Sequence, residues 1–255
     1  MYRTIKLRKK ALLWIAAAAA AAALLFLPGT GAVFPVSSAG QPPAGQPIEP
    51  QKVVYLTYDD GPSKNTSEIL DVLKEEGVEA TFFVIGATTD RGKALYQRIL
   101  DEGHAMGLHT FTHEYGEIYA SADAYLDDLA RLSAHLRETV GYQPDIFRFP
   151  GGSNNATASP AVLKEIKERT TKMGLCWFDW NTLGKDDHSW TSDAADICQN
   201  VIAAAGDKDR IVVLMHDDAL RTTAAAATRQ IIAHYRQKGY EFRKLSKDVE
   251  PVRFS

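Results

Sequence analysis

The chain has 255 residues, with 29 Lys and Arg against 32 Asp and Glu, and a formal net charge of -3. This length allows one large domain or two small ones. The slightly acidic balance gives no basic signature of the kind that nucleic-acid binding requires, so nucleic acid is not expected as a partner.

The N-terminal segment is typical of an export signal. Residues 1–10 carry five basic side chains and no acid, and the seventeen residues 11–27 carry no charge. As a helix, this uncharged run would span about 25 Å, slightly less than the ~30 Å hydrocarbon core of a bilayer. Residues 1–39 are therefore predicted to be either a signal peptide, cleaved near Ser37-Ser38-Ala39, or a retained membrane anchor. Both alternatives place the rest of the chain outside the cytoplasm.

A Pro- and Gly-rich linker is predicted over residues 40–51, and a folded domain over 52–255. Within the domain, seven apolar runs have the strand pattern: VVYLTY, ATFFVIG, AMGLHTF, DIFRFPGG, LCWFDWN, IVVLMHD and YEFRKL. Helical patterns lie between them. In the first, Asn65 or Thr66 is the expected N-cap, with Glu68 completing a capping box, and Gly77 is the expected end. This alternation predicts an α/β domain with a parallel sheet, either a barrel or doubly wound.

Polar side chains gather where five of these runs end. They are Asp59 and Asp60; His109 and His113; Arg148; Asp179, with Asp186 and Asp187 soon after; and His216 with Asp217. Because the C-terminal ends of parallel strands form one edge of a barrel, we expect these side chains to meet there. Asp217 and Asp218 are instead expected to lie in a solvated turn.

The HTFTH stretch has a spacing common for two ligands of one metal, although two surface histidines would give the same pattern. No Glu follows His109, so this is not the metalloprotease helix motif. Either Asp60 or Asp59 could complete a set of two histidines and one carboxylate, which leaves a position open, as in catalytic zinc sites. The other acid could then act as general base. His216 suits the role of general acid, and Asp186 is a candidate to orient it.

Five stretches in this order, TYDDGP, HTFTH, RFPGGS, FDWNTLGKDD and LMH, resemble the five motifs of the NodB-homology polysaccharide deacetylases, carbohydrate esterase family 4. The resemblance extends over roughly residues 52–245. It implies a single catalytic domain, a distorted (β/α) barrel with about seven parallel strands. It also implies hydrolysis of N-acetyl groups on a sugar polymer with a divalent metal, expected to be Zn²⁺, with Co²⁺ or Mn²⁺ as alternatives.

The same resemblance implies a role for each motif residue. Asp59 would be the general base and His216 the general acid, with Arg148 orienting Asp59 and Asp186 tethering His216. The implied metal ligands are Asp60, His109 and His113. The implied substrate contacts are Leu214, which would line the pocket for the acetyl methyl group, and the backbone N–H of Gly151, which would hold the oxyanion.

Two motifs depart from the family pattern. The third is usually Arg-x-Pro-Tyr, but here Gly151 follows Pro150, so a tyrosine wall of the substrate groove is lost. Trp180 or Trp190 is expected to replace that wall. The fourth motif usually ends in Asp-Trp, but here Asp187 follows Asp186.

The expected substrate is the glycan strand of peptidoglycan, because RFPGGS with a following WN resembles a Gram-positive branch of the family. The alternative substrates are chitin oligomers, muramic acid residues, and acetylxylan or another O-acetyl polymer. A further alternative is that the protein binds glycan without catalysing a reaction. The protein is expected to be a monomer, with membrane contact only through an uncleaved N-terminal segment. Cys176 and Cys198 are expected to be small buried residues, although outside the cytoplasm they could pair.

Overall fold

The computed structural model describes residues 52–186 and 193–255. The predicted signal or anchor, the linker, Asp187 and Trp190 therefore lie outside the described residues. The strands are β1 (Val53–Asp59), β2 (Thr81–Val84), β3 (Ala105–Leu108), β4 (Ile146–Phe147), β5 (Cys176–Trp177), β6 (Thr182–Leu183), β7 (Arg210–His216) and β8 (Glu241–Phe242). The helices are α1 (Thr66–Glu76), α2 (Asp90–Asp101), α3 (Tyr115–Ile118), α4 (Ala122–Val140), α5 (Pro160–Lys172), α6 (Ala194–Ala205) and α7 (Ala224–Gln237).

The strands form one curled parallel sheet. Its order is β5-β4-β3-β2-β1-β7-β6, with β8 paired to β1. Strands β5 and β6 lie at opposite ends of this order, although only residues 178–181 separate them along the chain. Four residues cannot bridge a flat seven-strand sheet, because adjacent strands are about 4.8 Å apart and each residue spans at most about 3.5 Å. The sheet must therefore curl until its edges approach, which gives the predicted distorted (β/α) barrel.

One strand beyond the seven predicted runs is present among the described residues. Strand β6 is only two residues long, and it pairs with β7. The side chain of Asn181 fixes it there: its amide donates to the carbonyl oxygen of Arg210 and its oxygen accepts the N–H of Val212, both at 2.9 Å. A side chain thus replaces part of the backbone ladder at this edge.

The buried residues lie on both faces of the sheet. All seven residues of β1 are buried, and alternate side chains join different clusters. Val54, Leu56 and Tyr58 pack in the large cluster that includes the helices, whereas Val53 and Tyr55 pack in a smaller one with Phe83, Ile146, Phe178, Val212 and Leu245. A strand covered on both faces is uniformly apolar, which explains the continuous run VVYLTY.

The first helix begins and ends near the predicted residues, but its predicted side-chain cap is wrong. Asn65 occupies the N-cap position, but its side chain makes no capping hydrogen bond; its amide donates to the carbonyl oxygen of Asp218 at 2.6 Å. Gly77 ends the helix in the left-handed conformation, with φ of 61°. Cys176 and Cys198 are unpaired. Within residues 52–186 and 193–255, no helix is long and apolar enough to cross a membrane.

Candidate active site

The sheet register brings the polar strand ends together. Asp59 and His216 are direct neighbours across β1 and β7. Leu108 pairs with Phe147 across β3 and β4, so His109 and Arg148 follow side by side. The Nδ1 atom of His109 lies 3.0 Å from the carbonyl oxygen of Arg148. Side chains from β1, β3, β4 and β7 therefore converge on one edge of the barrel.

The side chains of Asp59 and Asp60 face different neighbours because the backbone is extended at Asp59 and left-handed at Asp60. Asp59 ends the extended strand and is buried, whereas Asp60 has φ of 72° and is half-buried. Asp is among the few residues with a side chain that tolerate this left-handed conformation. The two carboxylates consequently serve different neighbours, Arg148 for Asp59 and the two histidines for Asp60.

Asp60, His109 and His113 form a cluster able to hold a metal ion. Their ligand atoms lie within 4.8 Å of one another. The Oδ1 atom of Asp60 is 3.4 Å from Nε2 of His109 and 3.1 Å from Nε2 of His113. This oxygen is buried and accepts no hydrogen bond from any described residue.

The chemistry of the donor set fits a divalent cation. Burial lowers the pKa of His109 well below its usual value, so its imidazole is neutral, as a metal ligand must be. Its Nδ1 is already engaged with the Arg148 carbonyl, which leaves Nε2 for the ion. An unpartnered buried carboxylate oxygen facing two imidazole nitrogens is the arrangement that a cation would complete.

Asp59 lies beside this cluster and is held by Arg148. Its Oδ1 accepts a hydrogen bond from Nη1 of Arg148 at 2.9 Å, and its Oδ2 is 3.7 Å from Nε2 of His109. Burial raises the pKa of Asp59 to about 6, against the opposing effect of the Arg148 charge. A carboxylate with a pKa near neutrality is a stronger base than an exposed one, which suits proton abstraction.

Arg148 is a fully buried cation whose guanidinium is satisfied on several sides. Besides Asp59, it donates to Oγ1 of Thr57 at 2.7 Å and to the carbonyl oxygens of Phe178 at 2.9 Å and Asp179 at 3.2 Å. The ring of Phe83 packs against it, 4.2 Å from ring centroid to guanidinium carbon. This network fixes the side chain, and with it the Oδ1 atom of Asp59.

His216 and Asp186 form a second charged pair at the same edge. Oδ1 of Asp186 is 2.9 Å from Nδ1 of His216, and Oδ2 accepts the backbone N–H of His216 at 2.7 Å. Burial alone would lower the pKa of His216. The hydrogen bond and the negative charge of Asp186 outweigh this effect and raise the pKa to about 9. The imidazole is therefore protonated at neutral pH and has a proton to donate.

The predicted substrate contacts occupy different surroundings. Gly151 is exposed with φ of 73°, and its N–H finds no acceptor among the described residues. Leu214 is buried in β7. Trp180 packs edge-on against Phe254, with centroids 4.9 Å apart, and its ring centroid is 5.7 Å from the Arg148 guanidinium carbon. Trp190 lies outside the described residues. The substrate roles of all four stay predictions.

Asp217 does not lie in a solvated turn as expected, because its side chain is completely buried. Its carboxylate accepts hydrogen bonds from Oγ1 of Thr66 at 2.6 Å and Oγ of Ser63 at 3.2 Å. A Cβ atom at Gly61 would come within 2.3 Å of its Oδ2. Asp217 thus packs directly under the loop that carries Asp60. In the sequence, the only indication of this contact is the pair of hydroxyl residues, Ser63 and Thr66, in GPSKNT.

Comparison with known proteins points to one family. The model of the polysaccharide deacetylase family matches residues 47–172. The chain is 32% identical over 212 residues to a peptidoglycan-N-acetylglucosamine deacetylase of Bacillus cereus, covering 80% of this chain and 73% of the relative. It is 31% identical over 205 residues to the putative polysaccharide deacetylase YheN of Bacillus subtilis, covering 79% and 70%.

Solved structures give the same result. The catalytic domain of a peptidoglycan N-acetylglucosamine deacetylase from Eubacterium rectale superposes with a TM-score of 0.75 at 32% identity, covering 80% of this chain and 93% of that one. A polysaccharide deacetylase from Bacillus cereus superposes with a TM-score of 0.71, also at 32% identity, covering 80% and 97%.

Proposed function

The chain belongs to the polysaccharide deacetylase family, and we propose that it hydrolyses N-acetyl groups of N-acetylglucosamine residues in peptidoglycan, releasing acetate, with a divalent metal. One observation carries the proposal: a base, a three-ligand cluster and a protonated acid share one edge of the barrel. Relatives from Bacillus cereus and Eubacterium rectale, named for this reaction, support the choice of substrate.

The metal would be held by Asp60, His109 and His113. A bound divalent cation would polarise the acetyl carbonyl and acidify a water molecule, as Lewis acids do in hydrolases. Two imidazoles and one carboxylate are a ligand set that Zn²⁺ accepts, and Co²⁺ and Mn²⁺ accept the same donors. We propose Zn²⁺ as the ion.

The reaction requires one proton to be taken and one to be given. Asp59 would remove a proton from the attacking water with Oδ2, since Arg148 holds Oδ1. Gly151 would donate its free N–H to the negative charge that develops on the acetyl oxygen. His216 would give its proton to the leaving nitrogen, while Asp186 keeps the imidazole oriented. One water is consumed, and acetate and a free amine are formed.

We also propose that the enzyme acts outside the cytoplasm. The basic and apolar residues 1–27 support export, and peptidoglycan is a polymer found outside the cytoplasmic membrane. This assignment would be tested by cell fractionation of the full-length protein. Protein recovered from the cytoplasm with an intact N-terminus would contradict export.

The activity test compares peptidoglycan, N-acetylglucosamine oligomers and acetylxylan as substrates for the purified protein, with acetate release as the readout. We expect release from the first two, loss of release after EDTA treatment, and recovery with Zn²⁺. Asp59→Asn should lower the rate at least 100-fold, as removal of a general base does. Asp196→Asn, which changes an exposed acid on α6, is the matched control.

Different outcomes would point elsewhere. Faster release from acetylxylan than from any N-acetyl substrate would make the enzyme an O-acetyl esterase. Undiminished release after complete metal removal would exclude the metal-dependent mechanism. An Asp59→Asn variant as active as the wild type would remove Asp59 from the role of base.

A further inference from the structure

Tyr115 lies between the candidate metal ligands and the turn that contains Gly151. It is the first residue of α3, two positions after His113. Its ring meets the His113 imidazole edge-on, with centroids 5.2 Å apart and planes at 88°. Nothing in the sequence motifs drew attention to this tyrosine.

The phenol of Tyr115 occupies the space that a side chain at position 151 would take. A Cβ atom built on Gly151 would lie 3.1 Å from Cε1 of Tyr115 and 3.2 Å from its hydroxyl oxygen. The tyrosine that the third motif lacks is thus replaced by a tyrosine from a different segment. Trp180, one of the two expected substitutes, packs against Phe254 and the neighbouring Gly152.

An aromatic stack holds this phenol against the turn. The Tyr115 ring packs edge-on against Tyr119, with centroids 5.9 Å apart, and Tyr119 stacks on Tyr125 at 5.5 Å. The Tyr119 hydroxyl donates to the carbonyl oxygen of Pro150 at 2.7 Å. Because Pro150 precedes Gly151, the turn and the Tyr115 ring are fixed relative to each other.

The hydroxyl of Tyr115 is a donor without an acceptor in the described part of the chain. The hydroxyl of its neighbour Tyr119 already donates to the carbonyl oxygen of Pro150. The two tyrosine hydroxyls therefore differ in whether their proton is engaged. A half-buried tyrosine hydroxyl is protonated at neutral pH and can donate one hydrogen bond. Two such donors, this hydroxyl and the Gly151 N–H, therefore lie close together, and the Tyr115 ring also contacts the His113 imidazole.

We propose that the Tyr115 hydroxyl donates a hydrogen bond to the carbonyl oxygen of the scissile acetyl group, as a second donor beside the Gly151 N–H. The inference rests on the proposed function, because it names a further catalytic residue for that reaction. Donors aimed at an oxygen that gains charge stabilise the transition state more than the bound substrate. The loss of this donor should therefore fall on kcat rather than on KM.

The test compares wild type and Tyr115→Phe as full-length, Zn²⁺-loaded proteins acting on an N-acetylglucosamine oligomer. We expect kcat to fall roughly 10- to 100-fold, with KM changed less than about threefold. Affinity for a phosphonate mimic of the tetrahedral intermediate should fall by a similar factor. Thermal unfolding and Zn²⁺ affinity should match the wild type. Tyr142→Phe, two residues beyond the end of α4, is the matched control.

Three results would overturn the inference while leaving the proposed function intact, provided that the wild type releases acetate. These are a kcat for Tyr115→Phe within twofold of wild type, a change confined to KM, or a loss of activity that follows a loss of Zn²⁺ affinity or thermal stability. A wild-type protein that releases no acetate from any N-acetyl substrate would overturn both.

Discussion

Asp59 and Asp60 show how two identical residues acquire different chemistry from their backbone and neighbours. Asp59 is fully buried next to a cation, whereas Asp60 turns through a positive φ to face two imidazoles. Burial keeps the Asp59 carboxylate basic. The Asp60 carboxylate and the two imidazoles together present lone pairs that attract a cation. The adjacency of the acids was visible in the sequence, but their separation depends on one dihedral angle.

The pairing of His216 with Asp186 leads to a prediction about pH. His216 can act as acid only while protonated, so activity should fall as pH rises through its pKa, which Asp186 raises to about 9. Asp186→Asn removes the negative charge that favours the protonated form. The pKa of His216 should fall, and the basic limb of kcat/KM should move to lower pH, by about one to two units.

The measurement is kcat/KM for acetate release between pH 5 and 10, since this ratio reports the pKa values of the free enzyme. Asp207→Asn, an exposed loop change, is the control and should leave the profile unmoved. A basic limb that stays in place in Asp186→Asn would show that another group provides the proton.

The loop between β1 and α1 depends on a contact with the end of β7. The Thr66 hydroxyl accepts the N–H of Ser63 at 2.7 Å and donates to Asp217 at 2.6 Å. The N–H of Asp217 in turn donates to the carbonyl oxygen of Asp59 at 2.7 Å. One threonine therefore joins the loop that orients Asp60 to the strand that carries His216.

Thr66→Val should destabilise the protein because it keeps the side-chain volume and removes the hydroxyl. The buried Asp217 carboxylate and the Ser63 N–H would each lose a partner, which costs about 1–3 kcal/mol in the free energy of unfolding. Urea unfolding of the purified variant measures this difference.

Thr171→Val is the control for that change. Its hydroxyl is also hydrogen-bonded, donating to the carbonyl oxygen of Lys167 at 2.7 Å, but the residue is exposed. We expect a change within about 0.5 kcal/mol. Equal stabilities for the two variants would mean that the Thr66–Asp217 contact does not support the loop.

Local sequence patterns predicted most of the strands and helices. The features that they missed depend on contacts between residues far apart in the chain. The apolar run of β1 and the left-handed Gly77 at the end of α1 follow from local rules. Strand β6 has two residues, too few for any periodicity, and its position depends on Asn181 bonding to β7. Asp217 looked like a turn residue because its partners, Ser63 and Thr66, lie about 150 residues earlier in the chain.

The curled barrel is closed partly by the segment after its last strand. The buried Asp179 carboxylate accepts the N–H and Oγ of Ser153 at 2.9 and 2.6 Å, and the N–H of Phe254 at 2.8 Å. The N–H of Asp179 donates to the carbonyl oxygen of Val252 at 2.8 Å. The site was predicted as a set of strand ends, but no sequence pattern indicated that the C-terminal tail supports the turn beside Gly151.

Asp179→Asn tests this support, because all three groups that face the carboxylate are donors. An amide would direct an NH₂ group toward at least one of them, leaving a buried donor unpaired. We expect unfolding to become easier by about 2–4 kcal/mol, combining a lost charge-assisted bond with an unsatisfied donor. The tail should also be released, so carboxypeptidase should remove Phe254 and Ser255 faster than in the wild type.

Asp248→Asn, an exposed change in the same tail, is the control and should alter neither result. If Asp179→Asn kept both stability and protease resistance, the tail would be held by its apolar contacts with Trp180 rather than by the buried carboxylate.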